Sequence, residues 1–405
     1  MRMRNIGQGS FPSRPNERTV LQRLRRLGEA SRAALARATG FTNTSVGQIV
    51  RDLERAGLVR AVGREHRGRR GQPGTLLSLD PRGAFAIGVR LDRTRIDTVL
   101  IDLVGTVLAQ RTHDRLLPAP PQALAIVRED VEALVADLAP AYRRRIAGVG
   151  VARPYNLGSW LEQLDLPRTA FLPWENVAFG AELAHATGFT VIEENDGSAA
   201  AIAELFHGLG RGCDDFLYVF IGPAIGGGVV LGGQCLRGAT RNAGDIGMIP
   251  VPPSRLASAP GTSARDILLS RASLNTLRRH LRARGEPAGN ASLPCRTPAV
   301  EEWLEDCADA LAAPLLAARA FLDVPTVVLD SDLQPEALER LTDRLAPHLA
   351  THVTEARTRP KLLRGSFGSN AGALGAATLP LFESFGPRPP SHESHVEGAL
   401  HIAAS

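Results

Sequence analysis

Four arginines lie among glycines in a short segment near the N-terminus. Arg64, Arg67, Arg69 and Arg70 all fall within GREHRGRRGQPG. Glycine lets a backbone approach DNA closely, and the narrow minor groove of A·T-rich DNA attracts inserted arginine. A solvated charged loop is the alternative interpretation. The position of the segment, directly after a predicted helix-turn-helix, favours contact with DNA.

A second group of hydrogen-bonding side chains falls on the exposed face of a predicted helix that follows the N-cap residue Thr42. The group comprises Asn43, Thr44, Ser45, Gln48 and Arg51. Such side chains near the start of a recognition helix contact base edges and phosphates. For an isolated helix, a solvated polar face would be the simpler interpretation, and it is the neighbouring arginines that favour DNA.

Three predicted helices position these residues. Apolar residues at helical spacing indicate a first helix over 16–27, and N-cap and glycine signals indicate two more, over 31–40 and 42–57. A helix, a tight turn containing glycine and a second helix form a helix-turn-helix.

Two predicted strands, 58–62 and 75–79, flank the arginine segment and make it the tip of a hairpin. Together with the helices they predict a winged helix-turn-helix domain over residues 16–80. Residues 1–15 show little periodicity, and we expect them to be flexible.

The charge of the chain is unevenly distributed. Residues 1–80 contain 16 arginines and 6 acidic residues, a net charge of +10, whereas the 405-residue chain carries +5. The remainder is therefore acidic. A basic N-terminal part on an acidic remainder indicates a nucleic-acid-binding module attached to another domain.

Cysteine usage and hydropathy exclude several classes of protein. The four cysteines are too widely spaced for a disulfide framework or a metal knuckle, which predicts reduced thiols in a cytoplasmic protein. No apolar run approaches the ~20 residues of a membrane span. The N-terminus lacks the apolar segment of a secretory signal.

After residue 80 the pattern changes to strand-like runs followed by alternating helices and strands. The pattern begins with AFAIGVRL and begins again with FLYVFIG. This repetition predicts a duplicated α/β domain with a cleft between its halves.

Five phrases occur in the order typical of one family. They are SRAALARATGFTNTSVGQIVRDLERAGLV, GVRLDRTRIDTVLIDLVGTVL, ENDGSAAAIAE, IGPAIGGGVVLGGQCLRGATRNAGDIG and GSNAGALGAA. On these phrases the chain resembles the repressor branch of the ROK family (repressors, open reading frames, sugar kinases) over roughly residues 16–383.

The resemblance implies a two-lobed, actin-like (ribonuclease-H-like) sugar-kinase fold behind the winged helix-turn-helix. It places lobe 1 over residues 81–196 and lobe 2 over 197–384, with the C-terminal helix returning to lobe 1. Residues 385–405 would form a mobile tail. Members of the family are usually oligomeric, so we expect a homodimer or tetramer.

Three nucleotide-binding elements of the family's kinases are altered. The acidic-Gly-Gly-Thr hairpin corresponds to residues 90–94, where Arg90 and Arg93 stand in the place of small or acidic groups. Pro223-Ala224 replaces the Thr-Gly step of the phosphate loop, and Asp330-Ser331 replaces a Gly-Gly pair near the adenosine. These changes predict a protein with no catalytic residues and no kinase activity.

The sugar side of the family's site is partly retained. Asp196 matches the catalytic base, and in a non-kinase it and Asn195 could accept hydrogen bonds from hydroxyls. A strand-end turn that caps the helix beginning near Ser198 is the alternative role. Asp245 stands in the place of the sugar-binding glutamate. We therefore predict ligand binding by Asn195, Asp196 and Asp245.

The family's structural zinc is expected to be lost. Met248 replaces a histidine that both contacts sugar and ligates zinc, and no cysteine occurs in the following VPPSRLASAPGTS. A thioether is a poor zinc ligand. The sequence thus predicts no metal site and no cofactor.

Taken together, these features predict a cytoplasmic transcriptional regulator, a repressor that binds a double-stranded operator. A sugar or polyol derivative would be its effector, bound without phosphorylation. One alternative is an active sugar kinase with an appended DNA-binding domain. A second is a DNA-binding protein whose body only dimerises and senses no ligand.

Overall fold

The computed structural model describes residues 11, 14–64, 74–259, 266–288, 296–351 and 359–387. The chain divides into two compact units, and we name them by position. Among the described residues, the head unit comprises 11–79 with 382–387, and the body unit comprises 80–381. The expected flexible N-terminus falls mostly outside the described residues, as does the expected tail beyond residue 387.

Among its described residues, the head unit contains three complete helices and a three-stranded sheet of order β1-β3-β2. The elements are α1 (Pro15–Leu27), β1 (Ala30–Ser31), α2 (Arg32–Thr39), α3 (Asn43–Arg55), β2 (Val59–Arg64) and β3 (Thr75–Leu79). Its core residues include Val20, Leu24, Leu35, Val46 and Leu53, which are fully buried.

Capping fixes the tight turn between α2 and α3. The Ser31 side chain accepts a hydrogen bond from the backbone N–H of Ala34, and Gly40 ends α2 in the left-handed conformation. Thr42 then begins α3 by accepting from the N–H of Ser45. These caps stand where the sequence predicts them.

The ends of α3 and β2 differ from the prediction by two residues each. Helix α3 ends at Arg55 rather than near Gly57. Strand β2 runs to Arg64, and a bulge between Ala61 and Gly63 shifts its register with β3. A bulge adds one residue to a strand, which explains why an alternation pattern ends the strand too early.

The described residues of the body unit form two five-stranded sheets of matching design, ordered β6-β5-β4-β7-β8 and β11-β10-β9-β14-β15. In each, an antiparallel meander continues into two parallel strands. The duplicated α/β architecture predicted from the sequence is confirmed.

The strands of the body are β4 (Phe85–Asp92), β5 (Arg95–Asp102), β6 (Val107–Asp114), β7 (Ile146–Arg153), β8 (Val191–Asn195), β9 (Phe216–Ile221), β10 (Ile225–Leu231), β11 (Gln234–Leu236), β12 (Pro250–Val251), β13 (Asp266–Ile267), β14 (Thr326–Ser331) and β15 (Lys361–Arg364). Its helices are α4 (Pro120–Asp137), α5 (Pro140–Arg143), α6 (Phe179–Thr187), α7 (Asp196–Phe206), α8 (Leu268–Ala272), α9 (Leu274–Ala283), α10 (Pro298–Leu322), α11 (Pro335–Thr351) and α12 (Ala371–Phe385), whose last four residues belong to the head unit. No helix among the described residues is long and apolar enough to cross a membrane.

Helix α12 packs directly on the first sheet through glycines. A Cβ at Gly150 of β7 would lie 1.8 Å from the carbonyl oxygen of Ala376, and one at Gly88 of β4 would lie 2.3 Å from the backbone nitrogen of Ala377. Only glycine permits so close an approach. This contact brings the start of α12 beside the end of β4, where the altered kinase residues lie.

Candidate functional site

Helix α3 presents the polar face predicted for DNA recognition. Its residues Asn43, Thr44, Ser45, Gln48 and Arg51 are all exposed. The opposite face is buried through Val46, Val50 and Leu53. The structure therefore brings the five predicted residues onto one accessible surface of the head unit.

A hydrogen-bonded series runs along this surface. Arg51 Nη2 donates to Gln48 Oε1 at 2.7 Å, and Gln48 Nε2 donates to Asp52 Oδ1 at 3.1 Å. Asp52 also accepts a hydrogen bond from Arg55. Asp52 was not predicted from the sequence, although its spacing of four residues from Gln48 on a helix is a signal for such a contact.

The wing is described only in part. Arg64, the last residue of β2, is exposed. Arg67, Arg69 and Arg70 lie outside the described residues, so their contact with DNA stays a prediction.

A cavity of about 1290 Å³ opens in the body unit between its two halves. The three predicted ligand-binding residues, Asn195, Asp196 and Asp245, all line it. Ligand cavities are commonly ~300–1,000 Å³, so this one has room for a small molecule larger than a monosaccharide.

Asn195 caps a helix and also contacts a second side chain of the cavity. Its Oδ1 caps α7 by accepting from the N–H groups of Gly197 and Ser198, at 2.9 and 3.3 Å. Its Nδ2 donates to Asn242 Oδ1 at 3.5 Å, and Asn242 Nδ2 donates to Asp245 Oδ2 at 3.0 Å. Asn242, which the sequence analysis missed, thus joins two predicted residues in one polar row.

Glycine contacts hold this row against the sheet. A Cβ at Gly197 would lie 2.2 Å from the carbonyl oxygen of Gly227, and one at Gly227 would lie 2.4 Å from that of Gly244. Gly244 also has φ = 88°, a conformation that favours glycine. The glycine-rich phrases of the sequence therefore preserve backbone packing.

A buried carboxylate fixes the loop that carries Asn242 and Asp245. The Glu194 side chain accepts from Arg237 Nε at 2.6 Å and from Arg241 Nη2 at 2.9 Å. Arg241 donates in addition to the carbonyl of the preceding residue, Glu193. Two charge-assisted bonds from one loop to the end of β8 keep the polar row in place.

Asp196, the first residue of α7, has an unfavourable environment for its charge. Burial and the neighbouring charge of Asp92 raise the pKa of Asp196, while Arg90 and Arg93 oppose the shift. Its Oδ1 accepts from the N–H of Gly197. A carboxyl whose pKa is raised accepts hydrogen bonds from hydroxyls at neutral pH and releases its proton less readily than an ordinary aspartate.

Arg90 and Arg93 behave differently, although both line the cavity. Arg90 Nη2 donates to Asp92 Oδ2 at 2.8 Å, and its side chain lies against Gly372 at the start of α12. Arg93 is 5% exposed and donates to the backbone carbonyls of Asn156, Leu157 and Ser159. Arg90 therefore fills space in the cavity, whereas Arg93 anchors a loop.

The region around Met248 contains an ion-pair network. Met248 is 44% exposed and lines the cavity. Among the described residues no three His, Cys, Asp or Glu side chains are grouped as metal ligands. Arg271 donates to the Asp306 carboxylate at 2.6 Å and to the carbonyl of Pro252 at 2.9 Å, while Ser254 Oγ donates to the same carboxylate at 2.9 Å.

Comparisons with known proteins agree with this architecture. The model of the ROK family matches residues 86–382. The crystal structure of a ROK family transcriptional regulator, a homologue of the Escherichia coli Mlc protein, superposes with a TM-score of 0.67 at 22% identity over 92% of this chain and 96% of its own. The resemblance to this family and the fold class inferred from the sequence are thereby confirmed.

Sequence relatives include both repressors and a sugar kinase. An uncharacterized protein of Sinorhizobium fredii is 28% identical over 91% of each chain. A xylose repressor of Bacillus subtilis is 21% identical over 61% of this chain and 63% of its own. A glucokinase of Thermotoga maritima is 32% identical over 48% of this chain and 59% of its own. The chain thus spans about 60% of the repressor and of the kinase.

Proposed function

The chain belongs to the ROK family, and we propose that it is a DNA-binding transcriptional regulator, a repressor, that senses a sugar or sugar derivative without phosphorylating it. In this proposal residues 16–80 bind the operator, and the lobes 81–196 and 197–384 enclose the effector. A homodimer or tetramer would occupy a two-fold operator in the cytoplasm.

The observation that carries the proposal is the exposed polar face of α3, placed on a capped helix-turn-helix. A recognition helix reads bases with side chains of this kind. The net charge of +10 over residues 1–80 supports binding to a polyanion. The xylose repressor and the Mlc homologue provide relatives named as regulators.

The cavity supports a sensory role for the body. Asn195, Asn242 and Asp245 form a row of donors and acceptors suited to hydroxyl groups. Asp196 adds a fourth polar group beside them. A sugar or polyol bound here would form several hydrogen bonds out of bulk water.

Arg90 argues against phosphoryl transfer. It stands where the kinase hairpin would admit phosphates, and it occupies that space with a guanidinium held by Asp92. Pro223 lines the same cavity and offers no backbone N–H to a phosphate. Catalysis of phosphoryl transfer depends on such positioning groups, so we propose that the activity is absent.

A selection experiment tests DNA recognition. The purified full-length chain is incubated with duplexes of random sequence, and the bound fraction is sequenced after several rounds. We expect one motif with two-fold symmetry to be enriched. Recovery of sequences with no common motif would refute the proposal.

An active kinase remains the second candidate, because Asp196 is retained and the glucokinase relative is 32% identical over its matched part. A coupled assay with ATP, Mg²⁺ and a panel of sugars distinguishes the two. We expect no sugar-dependent ADP formation. Turnover that is lost in Asp196→Asn would establish a kinase instead.

A further inference from the structure

Two arginines of α9 line the cavity on the side that belongs to the second half of the body. Arg278 and Arg282 are four residues apart, so their side chains lie on the same face of the helix. Neither residue was singled out in the sequence, and neither belongs to the polar row around Asn195.

Arg278 lacks a partner that would satisfy it. Its Nε is buried without a hydrogen bond, and no hydrogen bond or ion pair of its guanidinium occurs among the described residues. Burial lowers the pKa of Arg278, and the positive charge of Arg282 acts in the same direction, with only Asp332 opposing them. A half-buried guanidinium that repels its neighbour is costly to leave unpaired.

The nearby charged residues do not offset the cost of leaving the Arg278 guanidinium unpaired. Arg282 forms an ion pair with Asp165 at 3.7 Å, but both side chains are 57% exposed, and exposed pairs contribute little. Asp332 acts on Arg278 through space without a hydrogen bond to it, and burial raises the pKa of Asp332. The two guanidinium groups therefore remain available to an anion that enters the cavity.

Different charged groups act on Arg278 of α9 and on Asp196. The charges acting on Asp196 include Arg90, Arg93 and Asp92, whereas those acting on Arg278 are Asp332 and Arg282. Asp332, which also lines the cavity, interacts electrostatically with both Arg90 and Arg278. The cavity is thus lined both by a row of groups suited to hydroxyls and by a pair of arginines suited to negative charge.

We propose that Arg278 and Arg282 form an anion subsite, and that the effector is a polyhydroxylated molecule bearing a phosphate monoester or a carboxylate. The planar guanidinium fork matches both groups in a bidentate manner. This inference rests on the proposed sensory function of the body and specifies its ligand class.

The test is calorimetric titration of the full-length chain with inorganic phosphate. We expect Arg278→Ala and Arg282→Ala each to weaken phosphate binding by about tenfold, as the loss of one charge-assisted hydrogen bond implies. Arg284→Ala is the matched control, since it removes the same charge near the end of α9 but from an exposed residue that pairs with Glu302. Circular dichroism verifies that the variants fold.

Phosphate could also bind the arginines of the head unit, and the variants separate the two sites. If the α9 variants bind phosphate as the wild type does, or if the wild type binds none, the subsite is refuted. A second titration compares glucose with glucose 6-phosphate and gluconate. We expect the wild type to bind glucose 6-phosphate and gluconate about tenfold more tightly than glucose. We expect Arg278→Ala to bind both anions only as weakly as it binds glucose. Equal affinity of the wild type for all three compounds would contradict the ligand class.

DNA binding of the same variants keeps this result distinct from the proposed function. Arg278 and Arg282 belong to the body unit, so we expect both variants to bind the selected DNA motif with unchanged affinity in the absence of anion. A wild type that binds phosphate through α9 but no DNA would refute the regulator and leave the subsite standing.

Discussion

Asp196 matches the family's catalytic base, and its charge lowers the stability of the folded protein. Its pKa is raised chiefly by burial and by Asp92, so ionisation of Asp196 disfavours the folded state. This cost is absent below the unfolded-state pKa near 3.8 and develops as the pH rises through the higher folded-state value. An aspartate that faces the cavity at this cost in stability is explained by ligand binding.

We therefore expect Asp196→Asn to raise the melting temperature at neutral pH. Asparagine still accepts from the N–H of Gly197 but carries no charge to desolvate. The gain should shrink as the pH falls through the raised pKa and vanish below 4. Thermal unfolding across a pH series measures it, and a variant less stable than the wild type at neutral pH would show that Asp196 is structural.

Gln48 offers a second test at a single position. In the free protein its amide is engaged by Arg51 and Asp52, and on DNA the same amide could pair with an adenine edge. Gln48→Ala should cost about 1–3 kcal/mol on the selected motif and little on random DNA. Equal losses on both duplexes, measured by fluorescence anisotropy, would assign Gln48 to backbone contact or to packing.

The sequence predicted residues of the cavity wherever a motif marked them, but it did not predict the hydrogen bonds between them. Asn195, Asp196 and Asp245 were chosen from the sequence, and all three line the cavity. The intervening Asn242 was missed, because a hydrogen bond spanning 47 residues leaves no local pattern. Arg278 was missed for a different reason: arginine is abundant in this chain, so its type alone carries no signal.

At the scale of elements, the buried pair of Arg271 and Asp306 joins three segments. Arg271 of α8 is fully buried, Asp306 of α10 is 7% exposed, and the loop after β12 contributes Ser254 and the carbonyl of Pro252. We infer that this network stabilises the region where the family's zinc would be expected.

Asp306→Ala should destabilise the chain by about 3–5 kcal/mol, because it leaves the buried Arg271 charge without its main partner. Asp309→Ala is the matched control. Asp309 also pairs with Arg271 but is 39% exposed, so its loss should cost at most about 1 kcal/mol. Urea unfolding measures both, and equal small losses would show that the network contributes little.

The zinc prediction is tested on the same preparation. Metal analysis after exhaustive dialysis should find no stoichiometric zinc. About one zinc per chain would mean that ligands outside the described residues, such as Cys295, complete a site that the sequence analysis did not recognise.

The elements themselves were largely predictable, and their ends were not. Caps at Ser31 and Thr42 located the helices of the head, since a capping side chain is a local signal. The end of β2 was misplaced because a bulge interrupts the alternation of side chains. The order of strands in the two sheets depends on contacts distant in sequence, and the sequence analysis predicted no strand order.

At the scale of the whole molecule, regulation requires the effector to favour one spacing of the DNA-binding heads in an oligomer. A change from mostly bound to mostly free DNA needs about 5.5 kcal/mol of differential binding. Two ligands in a dimer would share this requirement equally. A few desolvated hydrogen bonds and one charge-assisted contact per subunit are sufficient to supply half of this differential binding free energy.

The most direct measurement of the central claim is an anisotropy titration of two duplexes, one carrying the selected motif and one a scrambled sequence, at several salt concentrations. We predict a preference of at least about 10³ for the motif. Replacing Arg67, Arg69 and Arg70 by alanine should weaken binding to both duplexes and reduce the slope of log affinity against log salt by roughly 0.9 for each lost phosphate contact. Equal affinity of the wild type for both duplexes, or no binding to either, would contradict a sequence-specific regulator.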